Sequence, residues 1–121
     1  VVWFSLKEKV KKGVHLDRDL LVWEDNGEKE RILQVADSAL LGEHNIANIA
    51  AAAAAAKVYD LGNELIKKGV HNFKGLAGRQ ELIREFKGRK FYNDTTATAP
   101  AATVAALNSF DQKVILIAGG T

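Results

Sequence analysis

The first half of the fold is decided by a short run, His44-Asn45-Ile46-Ala47-Asn48-Ile49, followed by seven consecutive alanines at positions 50–56. Ile46, Ile49 and Ala53 recur at the spacing of an α-helix, and helical patterning continues as far as residue 72. Alanine is the best helix former, and its small side chain allows a neighbouring element to pack closely. The run therefore predicts a tightly packed core helix rather than a low-complexity segment.

The first 35 residues carry the signals of a β-sheet on which this helix packs. An apolar run covers residues 1–6, and two more, 20–24 and 31–35, flank Asp25-Asn26-Gly27-Glu28. An Asn-Gly pair between apolar runs predicts a tight hairpin, because both central residues must accept a positive φ. The charged stretch after the first run is interpreted as a connection that Gly13 closes.

Glycines mark the boundaries that follow the alanine-rich helix. Gly62 is placed as the residue that ends it, and Asn63 as the cap of a second, shorter helix. Gly75 and Gly78 bracket a hinge or linker, where the helical pattern changes. Four elements are predicted beyond this hinge: paired strands at 82–86 and 90–93, a helix at 101–108 opened by Pro100, and a buried strand at 114–117. Their order predicts a parallel α/β unit.

The composition is that of a globular protein. The chain has 121 residues, of which 47% are apolar and 26% are charged, and its net charge is +2. These values argue against disorder, and the small net charge gives no excess of positive charge of the kind that binds nucleic acid or an anionic membrane. Cysteine is absent, which excludes disulfides and Cys-ligated zinc and fits a reducing compartment such as the cytoplasm. No apolar run reaches membrane-spanning length.

Both ends have the character of internal positions. An apolar run begins at Val1, the chain contains no methionine, and the last predicted strand runs into Gly119-Gly120. A buried strand that feeds a glycine turn normally leads to a helix that covers the sheet. We therefore expect an internal piece of a larger protein.

Two asparagines at the start of the alanine-rich helix are candidates for binding a nucleotide base. Asn45 and Asn48 lie three positions apart and hence on one face of the helix. A carboxamide offers a donor and an acceptor side by side, which suits the edge of an adenine ring. The alternative is structural, with Asn45 as a helix cap and His44 as a surface residue.

Three residues beyond the hinge have chemistry that suits a nucleotide and an amino acid. Arg79 is able to reach a phosphate or a ribose, with a surface ion pair as the alternative. Asp94 follows a predicted strand and is able to accept hydrogen bonds from ribose hydroxyls. Thr98 precedes a helix and is able to donate to a carboxylate, which the helix dipole also favours. A capping loop is the alternative for the segment that holds both.

Other catalytic patterns are missing from the chain. It contains neither Gly-x-x-x-x-Gly-Lys-Ser/Thr nor Gly-x-Gly-x-x-Gly. Its histidines, His15, His44 and His71, are too scattered for a metal site without outside ligands. Nothing in the surrounding sequence supports a triad of Ser38, His44 and Asp94. No catalytic residue and no metal ligand is therefore predicted within the chain.

Taken in order, four segments resemble the Mur ligases, the ATP-dependent amino-acid ligases that build the peptidoglycan precursor. They are Leu41-Gly42-Glu43-His44-Asn45-Ile46-Ala47-Asn48, Phe73-Lys74-Gly75-Leu76-Ala77-Gly78-Arg79-Gln80-Glu81, residues 93–100 with 105–107, and residues 117–120. The third segment, with its Asn-Asp-x-x-Ala-Thr pattern, favours the branch of the family that adds D-glutamate to UDP-N-acetylmuramoyl-L-alanine. The resemblance implies an α/β fold, with residues 1–75 ending a central ATPase domain and 76–121 starting a Rossmann-like C-terminal domain.

The resemblance also implies roles for the candidate residues. Asn48, with Asn45 near it, lies by the adenine, and Arg79 and Asp94 contact the nucleotide. Thr98 contacts the incoming D-glutamate. The family uses ATP and Mg²⁺ to form an acyl phosphate, which the amine of the amino acid then attacks. The implied partners are these small molecules and the remainder of the ligase chain, with neither nucleic acid nor membrane, and the chain alone is not expected to catalyse the reaction.

Three positions depart from the family pattern. Gly78 stands where the family usually has a histidine, Thr96 where it has a lysine, and Ala99 where it has an asparagine. These departures leave two alternatives open. One is another Mur or folylpolyglutamate-type ligase that adds a different amino acid. The other is a non-catalytic nucleotide-binding module that keeps the fold.

Overall fold

The computed structural model describes residues 1–119 and divides into two compact units, Val1–Lys74 and the part from Gly75 onward. The protein is mixed α/β. The first unit contains strands β1 (Trp3–Ser5), β2 (Lys12–Asp17), β3 (Leu20–Asp25) and β4 (Glu28–Gln34), a short 3-10 turn (Val35–Asp37), and helices α1 (Glu43–Val58) and α2 (Asn63–Asn72). The second contains strands β5 (Glu81–Phe86) and β6 (Arg89–Asn93) and helix α3 (Pro100–Leu107).

The strands of the first unit form a four-stranded sheet in sequence order. Strands β1 and β2 are parallel, and the other neighbouring strands are antiparallel. The predicted hairpin is confirmed: β3 and β4 are joined through Asn26 and Gly27, whose φ values are 50° and 95°. Both values lie in the left-handed region that the tight hairpin turn requires.

The core of the first unit lies between this sheet and helix α1. The helix buries Ile46, Ile49 and three of its alanines against apolar side chains of the sheet. The sheet side and α2 contribute Val14, Leu21, Trp23, Ile32, Leu33 and Ile66. Because alanine adds little bulk, the helix is able to lie close to the strands, as the sequence predicts. The expectation that the alanine-rich helix packs on the N-terminal sheet is confirmed.

Three local predictions for the first unit are wrong. Gly13 does not close a connection but lies within β2, a strand that the sequence analysis did not identify. Gly62 does not end α1, because Asp60 takes the left-handed conformation there, with a φ of 59°. Aspartate tolerates this conformation because its short polar side chain is able to form hydrogen bonds with nearby backbone groups. Gly62 is instead the N-cap of α2, and Asn63 is the first residue of that helix.

The second unit contains the predicted hairpin and helix. Strands β5 and β6 are antiparallel, and the turn between them places Lys87 and Gly88 at φ values of 48° and 71°. Helix α3 begins with Pro100. Proline has no backbone N–H, and this costs nothing at the first helical position, because an N–H there has no acceptor within the helix. None of the helices within residues 1–119 combines the length and apolar character needed to cross a bilayer.

The predicted strand at 114–117 is wrong for the described chain. These residues have no regular structure, and Ile115 and Ile117 are each 93% exposed. A strand is held by hydrogen bonds from a neighbour, and no strand within residues 1–119 pairs with this segment. The parallel α/β unit expected from it is therefore not formed here. Gly120, part of the predicted glycine turn, lies outside the described residues.

Candidate functional site

Asn45 and Asn48 lie in the first turns of α1, as predicted, but their surroundings differ. The Asn45 amide donates to the carbonyl of Leu41 at 2.7 Å, and the residue is half-buried. Asn45 is not the helix cap, because Gly42 occupies that position with a φ of 90°. Asn48 is exposed, and its side chain makes no hydrogen bond to any of residues 1–119. Asn45 thus fastens the segment ahead of the helix, while Asn48 is open to a ligand.

Arg79 lies on a tight turn at the start of the second unit. Its backbone N–H donates to the carbonyl of Leu76 at 3.1 Å. Gly78 is buried with a φ of 72°, and its N–H donates to Oε2 of Glu81 at 2.8 Å. The Arg79 side chain is exposed and forms no ion pair within the described part of the chain, so the surface ion pair considered for it is not found.

Asp94 lies just after β6 and holds the turn that carries Arg79. Oδ1 of Asp94 accepts a hydrogen bond from the backbone N–H of Gln80 at 3.0 Å. Thr96 makes two hydrogen bonds to the same carbonyl, that of Gly78: one from its N–H at 3.0 Å and one from its hydroxyl at 2.8 Å. We call these four residues, Gly78, Gln80, Asp94 and Thr96, the clasp.

Thr98 follows the clasp and is exposed. Its N–H donates to the carbonyl of Thr96 at 3.0 Å, which folds the loop back on itself. Helix α3 has Ala99 as its N-cap and receives no hydrogen bond from a capping side chain. The threonines therefore do not cap α3, and Thr98 is the residue before the N-cap of that helix, whose N-terminus favours an anion.

The second unit thus brings Arg79, Asp94 and Thr98 into one connected loop structure. The sequence analysis identified these three residues but not the role of Gln80, whose side-chain amide donates to the carbonyl of Ala106 in α3 at 3.2 Å. Its φ of 44° is unusual for a residue with a long side chain, and nothing in the local sequence predicts it. Asn45 and Asn48 belong to the first unit.

Each unit presents groups whose chemistry suits a nucleotide. The first unit exposes the carboxamide of Asn48. The second exposes the guanidinium of Arg79 and leaves Oδ2 of Asp94 without a hydrogen bond to any of residues 1–119. Within residues 1–119, no three His, Cys, Asp or Glu side chains are grouped so that they could hold a metal ion. Oδ1 of Asp94 already accepts an N–H. The described residues therefore contain no metal site built entirely from such side chains.

No protein-family model matches the chain. It is 46% identical over 121 residues to the UDP-N-acetylmuramoylalanine–D-glutamate ligase of Acetivibrio thermocellus and 47% identical over 126 residues to that of Roseiflexus sp. strain RS-1. The enzyme of the same name from Bacillus subtilis strain 168 is 39% identical over 120 residues.

These matches cover 99% of this chain but only 26% to 27% of each relative. The chain therefore spans about a quarter of the length of the curated relatives it matches. The resemblance to the Mur ligases is thereby confirmed along the whole chain, and the chain is similar to one segment of the UDP-N-acetylmuramoylalanine–D-glutamate ligases.

Proposed function

We propose that this chain is a segment of an ATP-dependent, ADP-forming ligase that adds D-glutamate to UDP-N-acetylmuramoyl-L-alanine in peptidoglycan precursor synthesis. The observation that carries the proposal is the match of 99% of the chain to relatives named for this activity. The remainder of the ligase chain is its necessary partner, and its location is the cytoplasm.

Residues 1–75 are assigned to the end of the central ATP-binding domain, and residues 76–121 to the start of the Rossmann-like C-terminal domain. The change from one compact unit to the next between Lys74 and Gly75 supports this division. Each unit contributes nucleotide-binding candidates, Asn45 and Asn48 in the first and the residues of the Arg79 turn in the second.

The side chains have complementary tasks in this proposal. Asn48 and Asn45, at the start of α1, are assigned to the adenine, and the free oxygen of Asp94 accepts from ribose hydroxyls. The exposed guanidinium of Arg79 binds phosphate, which it matches in charge and shape. Thr98 donates to a carboxylate of D-glutamate beside the N-terminus of α3. ATP, when bound, supplies the phosphoryl group that converts a substrate carboxylate into an acyl phosphate.

The isolated chain is expected to have no turnover. Its sequence has no phosphate loop to hold the β- and γ-phosphates, and residues 1–119 contain no cluster of three metal-ligating side chains. Phosphoryl transfer depends on stabilising the charge of those phosphates, so most of the rate acceleration is lost without them. Phosphate release with UDP-N-acetylmuramoyl-L-alanine, D-glutamate and Mg-ATP measures this, and turnover that survives repurification would contradict it.

The test of the proposed function uses the complete ligase that carries this segment. Asp94→Ala is expected to weaken the binding of ATP much more than the binding of D-glutamate. Thr98→Ala is expected to weaken the binding of D-glutamate much more than that of ATP. Loss of one hydrogen bond to a charged partner corresponds to about tenfold to a hundredfold in apparent affinity. The KM values of both substrates are measured for both variants. If the two variants change the two KM values equally, or if the ligase prefers another amino acid, the assignment is wrong.

A further inference from the structure

Hydrogen bonds hold the backbone of Gly78, the residue before Arg79, at both its N–H and its carbonyl. The carbonyl of Gly78 accepts two hydrogen bonds from Thr96, at 3.0 and 2.8 Å, and its N–H is bound by the carboxylate of Glu81 at 2.8 Å. Every backbone hydrogen-bonding group of Gly78 is therefore satisfied by residues that lie 3 or 18 positions further along the chain. The side chain that follows it, Arg79, is exposed.

The space around Gly78 is closed by Thr96 and its neighbour Thr95. A Cβ atom at this position would lie 3.1 Å from Cγ2 of Thr96 and 3.2 Å from Oγ1 of Thr95. Both distances are shorter than ordinary van der Waals contact, and the φ of 72° adds strain for any residue other than glycine. Gly78 and Thr96 thus fit each other, and the loop lies directly against the turn.

We propose that Thr96 is a positioning residue, which fixes the Gly78–Arg79 peptide and thereby directs the Arg79 guanidinium at the nucleotide. The inference rests on the proposed role of Arg79 and deepens it. The residue on the other side of Arg79 is fixed too, because the N–H of Gln80 is bound by Asp94 at 3.0 Å. Since the backbone on both sides of Arg79 is held, little backbone freedom is lost when its side chain binds phosphate.

The hydroxyl of Thr96 is the part of the clasp that mutation removes most cleanly. Thr96→Val keeps the branched side chain and its Cγ2 contact but removes the 2.8 Å hydrogen bond to Gly78. Thr96→Ser keeps the hydroxyl and removes the methyl group. Thr95→Val is the matched control, because the hydroxyl of Thr95 makes no hydrogen bond to any of residues 1–119.

The experiment measures KM for ATP, KM for D-glutamate and kcat in the complete ligase. Thr96→Val is expected to raise KM for ATP about three- to tenfold, the size of one lost hydrogen bond, with kcat and thermal stability changed far less. Thr96→Ser and Thr95→Val are expected to stay within about twofold of the parent. Should Thr96→Val not fold, Thr96→Ala is compared with Thr95→Ala, since alanine removes the methyl group as well as the hydroxyl in both. Equal effects of Thr96→Val and Thr95→Val, or a lower melting temperature with an unchanged KM for ATP, overturn the proposal.

A double mutant separates this proposal from the proposed function. If Thr96 acts through Arg79, adding Thr96→Val to Arg79→Ala produces no further rise in KM for ATP. Additive effects overturn the positioning role while leaving the nucleotide role of Arg79 intact. An Arg79→Ala variant with an unchanged KM for ATP overturns the nucleotide role, and the positioning role with it.

Discussion

Gly13 lies where strand β2 passes closest to β1. It pairs with Trp3 and has a φ of 142°, and a Cβ atom there would lie only 1.8 Å from the Trp3 carbonyl oxygen. Because backbone atoms cannot turn aside as a flexible side chain can, any larger residue must push the two strands apart. The position therefore requires glycine for space as well as for conformation.

Gly13→Ala is expected to lower the free energy of unfolding by at least about 2 kcal/mol, since it combines a backbone clash with an unfavourable φ. Urea unfolding measures the change. Gly69→Ala is the matched control, because nothing lies within 4 Å of a Cβ at that helical position. It is expected to raise the free energy of unfolding by about 0.5–1 kcal/mol. Similar changes in the two variants would contradict the account of Gly13.

Asp94 combines a structural role with its proposed nucleotide role, and one substitution separates them. Asp94→Asn keeps an acceptor for the Gln80 N–H, which Oδ1 binds at 3.0 Å, but removes the charge and one acceptor. Its free energy of unfolding is expected to stay within about 1 kcal/mol of the parent. Its KM for ATP is expected to rise nearly as much as in Asp94→Ala. If Asp94→Asn binds ATP as the parent does, Asp94 serves only the clasp.

At the scale of secondary-structure elements, one cluster of polar side chains joins α1, β4 and α2. Nζ of Lys57, near the end of α1, donates to Oε2 of Glu30 in β4 at 2.8 Å and to Oδ1 of Asn63 at 3.2 Å. The amide of Asn63, the first residue of α2, donates to the same Glu30 oxygen and to the carbonyl of Arg31, each at 3.1 Å. The hydrogen bond from Lys57, followed by that from Asn63, lowers the pKa of Glu30.

This lowered pKa predicts the pH range in which the cluster stabilises the fold. A carboxyl whose pKa is depressed by folding contributes stability above its ordinary value, here 4.5, and loses it as the pH falls through the lowered value. Glu30→Gln is therefore expected to lower the melting temperature at pH 7, and this effect is expected to disappear once the pH is below the lowered pKa of Glu30. The loss at pH 7 is about 0.5 kcal/mol, because the Glu30 side chain is half exposed.

Melting curves between pH 3 and pH 7, taken about one pH unit apart, measure the difference. Glu28→Gln is the control, since Glu28 is exposed in the same strand and forms no ion pair within residues 1–119. A constant difference between the parent and Glu30→Gln across this range would show that the Glu30 charge does not act as described.

Elements with a local signal could be predicted from the sequence, and those that depend on a neighbour could not. The conformational preference of Asn26-Gly27 predicts the hairpin. The helix propensity of alanine and the spacing of the apolar residues predict α1. Strand β2 was missed because only Val14 and Leu16 carry its alternating apolar pattern and Gly13 suggested a turn, although β1 and β3 both pair with this strand. The apolar run at 114–117 resembles a strand, yet no described strand pairs with it.

In the candidate site, too, local sequence signals predicted the individual residues but not the contacts between distant ones. Residue type and order were enough to identify Arg79, Asp94 and Thr98 as candidates. The contact between Gly78 and Thr96 joins residues 18 positions apart, and it depends on how two loops meet. Both positions were noted as departures from the family pattern, but nothing in the sequence pairs them with each other, so the clasp is evident only from the structure.

At the scale of the whole chain, buried apolar surface is distributed very unevenly between the two units. Every member of the main hydrophobic cluster lies in Val1–Lys74. Within residues 75–119, Ala106 is the one buried hydrophobic residue, while the β-hairpin exposes Ile83, Phe86 and Phe91. Burial of apolar surface is the main favourable contribution to folding, so the first unit holds most of the intrinsic stability.

A fragment of residues 1–74 is therefore expected to unfold cooperatively on heating, whereas residues 75–121 alone are expected to show no cooperative transition. A hairpin and one short helix with a single buried alanine cannot offset the conformational entropy of that many residues. Circular dichroism melting of the two fragments and of the whole chain measures this, and amide hydrogen exchange locates the protected strands. A cooperative transition in residues 75–121, or its absence in residues 1–74, would show that the stability does not follow the buried core.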